Sequence, residues 1–384
     1  MNRKFISLVL ILLLIISFTT PVIAVSDSSL DSIIKDMTEY IYKTVPNPQV
    51  NSIGGEWAVL GLARSDYAIP EEYYENYYKN VQSYVKSCDG NLHDKKYTEY
   101  SRVILALTAI GKNPADVEGY NLLTPLGDYD RTIWQGLNGP IWALIALDSG
   151  NYPMPENPEA KTQATRNMYI QKILDLRLLD GGWSLSGGID SGAEESDPDI
   201  TGMALQALSK YKDRDDVKEA IDGALMTMSD RQNNQGGYSS RNVENIESSV
   251  QMIVALGELG IPIENPGFVK DGKNILDNLV NYYLKGKGFS HTKEDSSLNQ
   301  LSSEQGLYAL VAAKRLRDGE NSLYLMEDSL NIDDTIDSDS GNVLENKHKE
   351  NIPEFDIKIG PHINTSREKI ARVIFNMLQL TKLL

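Results

Sequence analysis

The sequence predicts an all-α protein, an α/α toroid of six helical hairpins closed into an α6/α6 barrel, and three observations predict it. First, a small residue followed by leucine recurs six times inside apolar, helix-like stretches. The pairs are Gly61-Leu62, Ala106-Leu107, Ala146-Leu147, Ala207-Leu208, Ala255-Leu256 and Ala309-Leu310. Their leucines are 45, 40, 61, 48 and 54 residues apart, each interval long enough for two helices and their loops. Second, "WAVLGLA", "IWALIAL" and "MALQALS" are apolar on nearly every face, as helices buried all round must be, whereas the segments between them are amphipathic. Third, "DGGWSL" at 180–185 recurs as "QGGYSS" at 235–240 and "GKGFSH" at 286–291. Glycines make the turn, and the aromatics Trp183, Tyr238 and Phe289 are expected to plug the gaps between repeats. Equal hairpins that each need a neighbour on both sides close into a ring. An open solenoid would need polar capping repeats, and the first and last inner stretches are as apolar as the middle ones.

The elements follow in order. Residues 1–24 read as a secretory signal peptide: Arg3 and Lys4, an apolar run over 5–18, then small residues with cleavage after Ala24. The apolar run is short for a membrane span, and no cysteine follows it to carry a lipid. The toroid is expected over 25–317. Its first outer helix starts near Ser28 and buries Leu30, Ile33, Ile34, Met37 and Ile41. The second buries Tyr74, Tyr77, Tyr78 and Val81. Further outer helices are expected from near Pro114, Thr162, Asp215 and Gly272. Residues 318–384 read as an acidic linker and a C-terminal amphipathic segment. "NIDDTIDSDSGN" has no aromatic, "NIPEFDIKIGPHIN" suits a short strand pair, and Thr365 with Glu368 makes a capping box ahead of Ile370. That helix is expected to dock on the barrel or to bind a surface partner.

Charge narrows the partners. The chain has 37 basic and 54 acidic residues, a net −17, and loses two more positive charges with Arg3 and Lys4. Nucleic acid and anionic membranes would be repelled. The single Cys88 allows no internal disulfide, so an exported chain must be held by packing alone.

"YYENYYKNVQSYVKS", "KYTEYSRVILALTAIGKNP", "TIWQGLNGPIWALIALDSGNY", "DPDITGMALQALSKYKDR" and "SSEQGLYALVA" resemble the repeats of the terpenoid cyclase and protein prenyltransferase superfamily. The likeness is nearer still to exported bacterial proteins with a single such toroid. It spans about 28–317 and implies the fold, with a secreted or cell-surface location in a bacterium, but no reaction. The prenyltransferases' zinc ligands do not carry over: Gly182 stands where their loop cysteine would, and the last inner helix has no histidine. Cys88 and His93, with His291 on a later loop, are too few to hold zinc, so neither a metal nor a cofactor is expected. The cyclases' acidic motif is matched only in part by Asp197-Pro198-Asp199-Ile200. Asp197 suits an N-cap, Pro198 the first turn and Asp199 the helix dipole, so capping is favoured over ligand contact or acid catalysis. "KSCDGNL" lacks the setting of a thioester site. Secreted cobalamin carriers share the toroid but add a β-domain that this chain lacks.

No complete catalytic set emerges, and Asp197 and Asp199 are the only catalytic candidates. The expected function is binding of an apolar or cofactor-like ligand in the barrel mouth, by Glu56, Trp57, Tyr97, Glu99, Tyr100, Trp134, Trp142, Asp199, Glu247, Gln300 and Glu304. Two alternatives stay open. One is an isoprenoid-acting cyclase- or transferase-like enzyme. The other is a carbohydrate-active enzyme using carboxylates of one rim, drawn from Glu56, Glu99, Asp199, Glu247 and Glu304.

Overall fold

The structure, a computed structural model, describes residues 25–186 and 195–329. The expected signal peptide, the acidic stretch at 331–342, the strand pair and the C-terminal helix lie outside the described residues. Among the described residues, no helix is long and apolar enough to cross a membrane.

Among the described residues, six inner helices alternate with outer segments. The inner set is α2 (Trp57–Ala63), α4 (Thr98–Ala109), α6 (Asn138–Ser149), α8 (Pro198–Leu208), α10 (Ile246–Leu259) and α12 (Gln300–Asp318). Each packs on the next, and α12 packs back on α2, so the ring is closed. The outer layer holds α1 (Asp27–Thr44), α3 (Glu71–Ser87), the single turn α5 (Tyr129–Thr132), α7 (Arg166–Asp175), α9 (Asp215–Arg231) and α11 (Ile275–Val280). Two short antiparallel hairpins lead out of the outer layer. In one, β1 (Ser239–Ser240) pairs with β2 (Val243–Glu244); in the other, β3 (Tyr283–Leu284) pairs with β4 (Gly288–Phe289).

Local chemistry sets most helix starts. Ser26, Thr165, Asp197, Asn245, Asn274 and Asn299 each cap a helix by accepting a backbone amide, and Asn274 forms a capping box with Asp277. Inside the ring, close approach demands small residues. A Cβ on Gly202 would lie 2.9 Å from the Gln251 backbone, so only glycine lets α8 and α10 meet there. The loop aromatics plug the layers as expected: Trp183, Tyr238 and Phe289 are fully buried, and Trp183 Nε1 donates to the Ile173 carbonyl at 2.7 Å.

The outer helix expected from Pro114 does not form. Glu118 sits at φ 55°, in the left-handed region, and Val117 and Tyr120 exchange hydrogen bonds across a tight turn. Pro125 then opens a short 3₁₀ turn, Thr124–Gly127. Leu122, Leu123 and Leu126 still fill this part of the outer layer from irregular backbone.

Packing also continues past the expected boundary at Arg317. Residues 320–329 run as a strap across the C-terminal ends of the inner helices. Arg64, nearly fully buried at the end of α2, donates to the Ser322 and Leu325 carbonyls and to Asp328 at 2.7 Å. Arg315 of α12 reaches the Asn321 carbonyl and Asp328 Oδ2, both at 2.7 Å. Glu258 of α10 accepts from the Ser322 hydroxyl at 2.6 Å and the Tyr324 amide at 3.0 Å, and Met326 N donates to the Ser149 carbonyl of α6. Across the same seam, Arg317 pairs with Asp31 at 3.1 Å and the Val25 amide reaches Asp277 at 2.9 Å.

Arg64→Met keeps the apolar stem and removes the donors that Arg64 offers to the strap. It is expected to destabilise the fold by roughly 3 kcal/mol, read as a lower urea midpoint with a single transition retained. An unchanged midpoint would mean that the strap does not contribute to closure.

Candidate functional site

The loops that enter the inner helices all lie at one end of the barrel, opposite the strap. Hydrogen bonds tie these helix starts side by side: Ser248 of α10 to Asp199 of α8, Ser302 of α12 to Glu247 of α10, and Glu304 of α12 to Gly54 ahead of α2. Most of these loops also expose a large apolar side chain. Ile53 precedes α2, Trp134 precedes α6, Leu185 precedes α8, Val243 precedes α10 and Leu298 precedes α12, each between 42% and 58% exposed. An apolar crown therefore surrounds the mouth.

Inside the crown stand carboxylates. Asp197 caps α8 by accepting from Asp199 N at 2.9 Å and Ile200 N at 3.3 Å, and its other oxygen takes the Ser240 hydroxyl at 2.5 Å. A cap of this kind contributes about 1 kcal/mol. Among the described residues, Asp199 caps no helix. Its side chain accepts the Ser248 hydroxyl at 2.5 Å, and burial, reinforced by the neighbouring Asp197 charge, pushes its carboxyl up to about 6. Glu247 accepts from the Ser302 hydroxyl at 2.5 Å and meets His291 Nδ1 at 2.8 Å. Thus α8, α10 and α12 bring together two half-buried acids, two hydroxyls and an imidazole.

On the other side of the mouth the acids are turned inward. Glu56, buried at the end of the irregular turn Ser52–Glu56, pairs with Arg102 at 2.7 Å, and Arg102 also holds Glu99 at 2.5 Å. Glu304 is fully buried; its Oε1 accepts from Gly54 N at 2.9 Å and from Gln300 Nε2 at 2.8 Å. Desolvation pushes the Glu304 carboxyl up to about 7. These acids serve the α12–α2–α4 seam, so Glu56 and Glu304 do not share an open rim with Asp199 and Glu247. The reason is that each is paired or capped by backbone within the wall.

The aromatics divide in the same way. Trp57 packs on Trp142 and Tyr308 with ring centres 5.3 and 5.7 Å apart, and Trp142 meets Tyr324 at 6.2 Å. Trp142 is therefore barrel filling. Tyr308 accepts from Gln251, which contacts Gln206, so a polar chain crosses the same interior. Tyr97 and Tyr100 are buried edge to face, and the Tyr100 hydroxyl serves the Leu92 amide at 3.0 Å, which makes both wall residues. Trp134 is the exposed member of the expected set, with Lys95 5.5 Å from its ring centre.

Among the described residues, no group of three or more His, Cys, Asp or Glu is arranged to hold a metal. Cys88 donates to the Val85 carbonyl, and His93 Nδ1 accepts from the Lys95 and Lys96 amides, so the pair has local roles. Sequence reasoning did not find Ser248 and Ser302, which follow ordinary cap residues, nor the crown. The recurrence of one apolar residue before five of the six inner stretches was the available signal.

No family model and no curated protein matches the chain. Among solved structures, it is similar to Candida albicans protein geranylgeranyltransferase-I complexed with GGPP, with a TM-score of 0.51 and 14% identity, over 76% of this chain and 94% of that one. At this identity the likeness is one of fold, and it is the α/α toroid.

Asp199, Glu258 and Glu304 all have carboxyls raised by burial, to about 6, 7 and 7. The stability they contribute is fully present below the unfolded-chain values near 4 and is lost as pH rises through 6 to 7. The melting temperature is expected to fall between pH 5 and pH 8, and Glu304→Gln should flatten that fall. A melting temperature that rises over this window, with the same slope in Glu304→Gln, would contradict the assignment.

Proposed function

We propose that the mouth binds an apolar molecule with a neutral or cationic polar head, and that the protein does so without a complete catalytic set. The observation that carries this reading is the placement of Asp199 and Glu247 within a crown of half-exposed apolar side chains. Such a rim removes apolar ligand surface from water at about 25 cal/mol per Å², while the carboxylates and hydroxyls orient a head group. A diphosphate is poorly served. Arg102 is already held by two glutamates, and an anion near α8 and α10 faces the carboxylates of Asp199 and Glu247. The similar transferase was solved with GGPP. In the present chain the apolar part of such a ligand fits the reading and its anionic part does not.

Secretion through a leader cleaved after Ala24, residence at a bacterial cell surface, and a tail over 318–384 that engages a surface partner complete the proposal. All three rest on the sequence. An isoprenoid-acting enzyme is the second reading, supported by Asp199, whose raised carboxyl is available as a proton donor beside Asp197.

Three probes with one apolar body and different heads test the reading: farnesol, farnesylamine and farnesyl diphosphate. Calorimetric titration is expected to show saturable binding of the alcohol and the amine, with the diphosphate at least ten-fold weaker. Asp199→Asn combined with Glu247→Gln should weaken the amine most. Preferential diphosphate binding would refute the proposal, and conversion of any probe to a new product would transfer it to the enzyme reading.

A further inference from the structure

At the end opposite the acidic mouth open two hollows that share Lys212 and Asp213, the second of them beside the strap. One, about 310 Å³, has Ile221 and Leu225 of α9 against Leu259 and Ile261 at the end of α10. The other, about 300 Å³, lies between strap residues Tyr324 and Leu325, Ile145 of α6 and Ala207 of α8. Lys212 and Asp213, on the loop after α8, stand in the walls of both. Each volume is at the small end of the range for ligand sites, about 300–1,000 Å³.

Lys210, Lys212 and Lys218 line this end together with Asp148, Asp213, Asp222 and Glu258, and what matters is which of these charges are already matched. Lys218 is matched by Asp222 at 2.7 Å. Lys210 donates to neutral oxygens, the Asp148 carbonyl at 3.3 Å and Asn151 Oδ1 at 3.2 Å. Lys212 forms no ion pair among the described residues. The lining acids are mostly engaged: Asp148 holds Arg166 at 3.0 Å and the Tyr211 hydroxyl at 2.7 Å, while Glu258 holds the strap. Only Asp213 is left to offset two ammonium groups.

The geometry points to a binding site for a medium-chain alkyl carboxylate, its head between Lys210 and Lys212 and its chain along Ile221, Leu225, Leu259 and Ile261. A carboxylate gains charge-assisted hydrogen bonds from two lysines that lack acidic partners, and the chain gains burial on an apolar floor. An alcohol leaves both ammonium charges unmatched, and an alkylammonium is repelled by them. The site shares no residue with the mouth and does not depend on what the mouth binds.

Titration of decanoate, decanol and decylammonium into the full chain, below micelle-forming concentrations, tests the inference. Decanoate is expected to bind saturably and with one-to-one stoichiometry. Combined Lys210→Met and Lys212→Met should weaken it at least ten-fold without moving the melting temperature, and Asp199→Asn in the mouth should leave it unchanged. A photoreactive decanoate should label the peptide containing residues 221–225. Absence of saturable binding, equal binding of decylammonium, indifference to the double lysine substitution, or loss of binding in Asp199→Asn would each overturn it.

Discussion

Closure of the ring, where α12 packs against α1 and α2, is the constraint on which the rest of the structure depends. No hairpin buries its inner helix alone, because helices such as α6 are apolar on every face and need neighbours on both sides. The seam joins parts of the chain about 250 residues apart, through Glu304 and the Gly54 amide, Arg315 and the Arg64 carbonyl, and Arg64 and Asp328. Loop-closure entropy grows only slowly with length, so so distant a contact costs little more than a near one. Once made, it gives the first and last inner helices the same two-sided burial as the others.

Closure also makes the two ends of the barrel different. At the helix starts, polar caps and glycine turns leave the rim open, with Asp199 and Glu247 beside exposed apolar side chains. At the helix ends the strap covers the opening, fixed by Arg64, Arg315 and Glu258. Between them the interior is filled by Trp57, Trp142, Tyr308 and Tyr324. A ligand at either end therefore meets a distinct chemistry: Asp199 and Glu247 at one, and Lys210 and Lys212 beside apolar hollows at the other.

The inner helices were legible in the sequence because burial on all faces leaves a run that no other element tolerates. The Asp197 cap was legible too, since capping is local chemistry. The third outer segment was not, because Glu118 in a left-handed conformation and Pro125 override a helical pattern that composition alone permits. The strap was hidden for a different reason: Arg64 has partners 264 residues away, which periodicity cannot reveal. In the candidate site, the acids' places near the inner-helix starts were legible, but the inward turn of Glu56 and Glu304 and the raised carboxyl of Asp199 depend on tertiary neighbours.

Native-state hydrogen exchange of the inner helices tests closure most directly. In a closed ring no repeat is terminal, so the slowest amides of α2, α4, α6, α8, α10 and α12 should exchange with one free energy, equal to that of global unfolding. Free energies graded along the chain, with α2 and α12 opening well before α6 and α8, would show that the ends fray independently and would contradict the account.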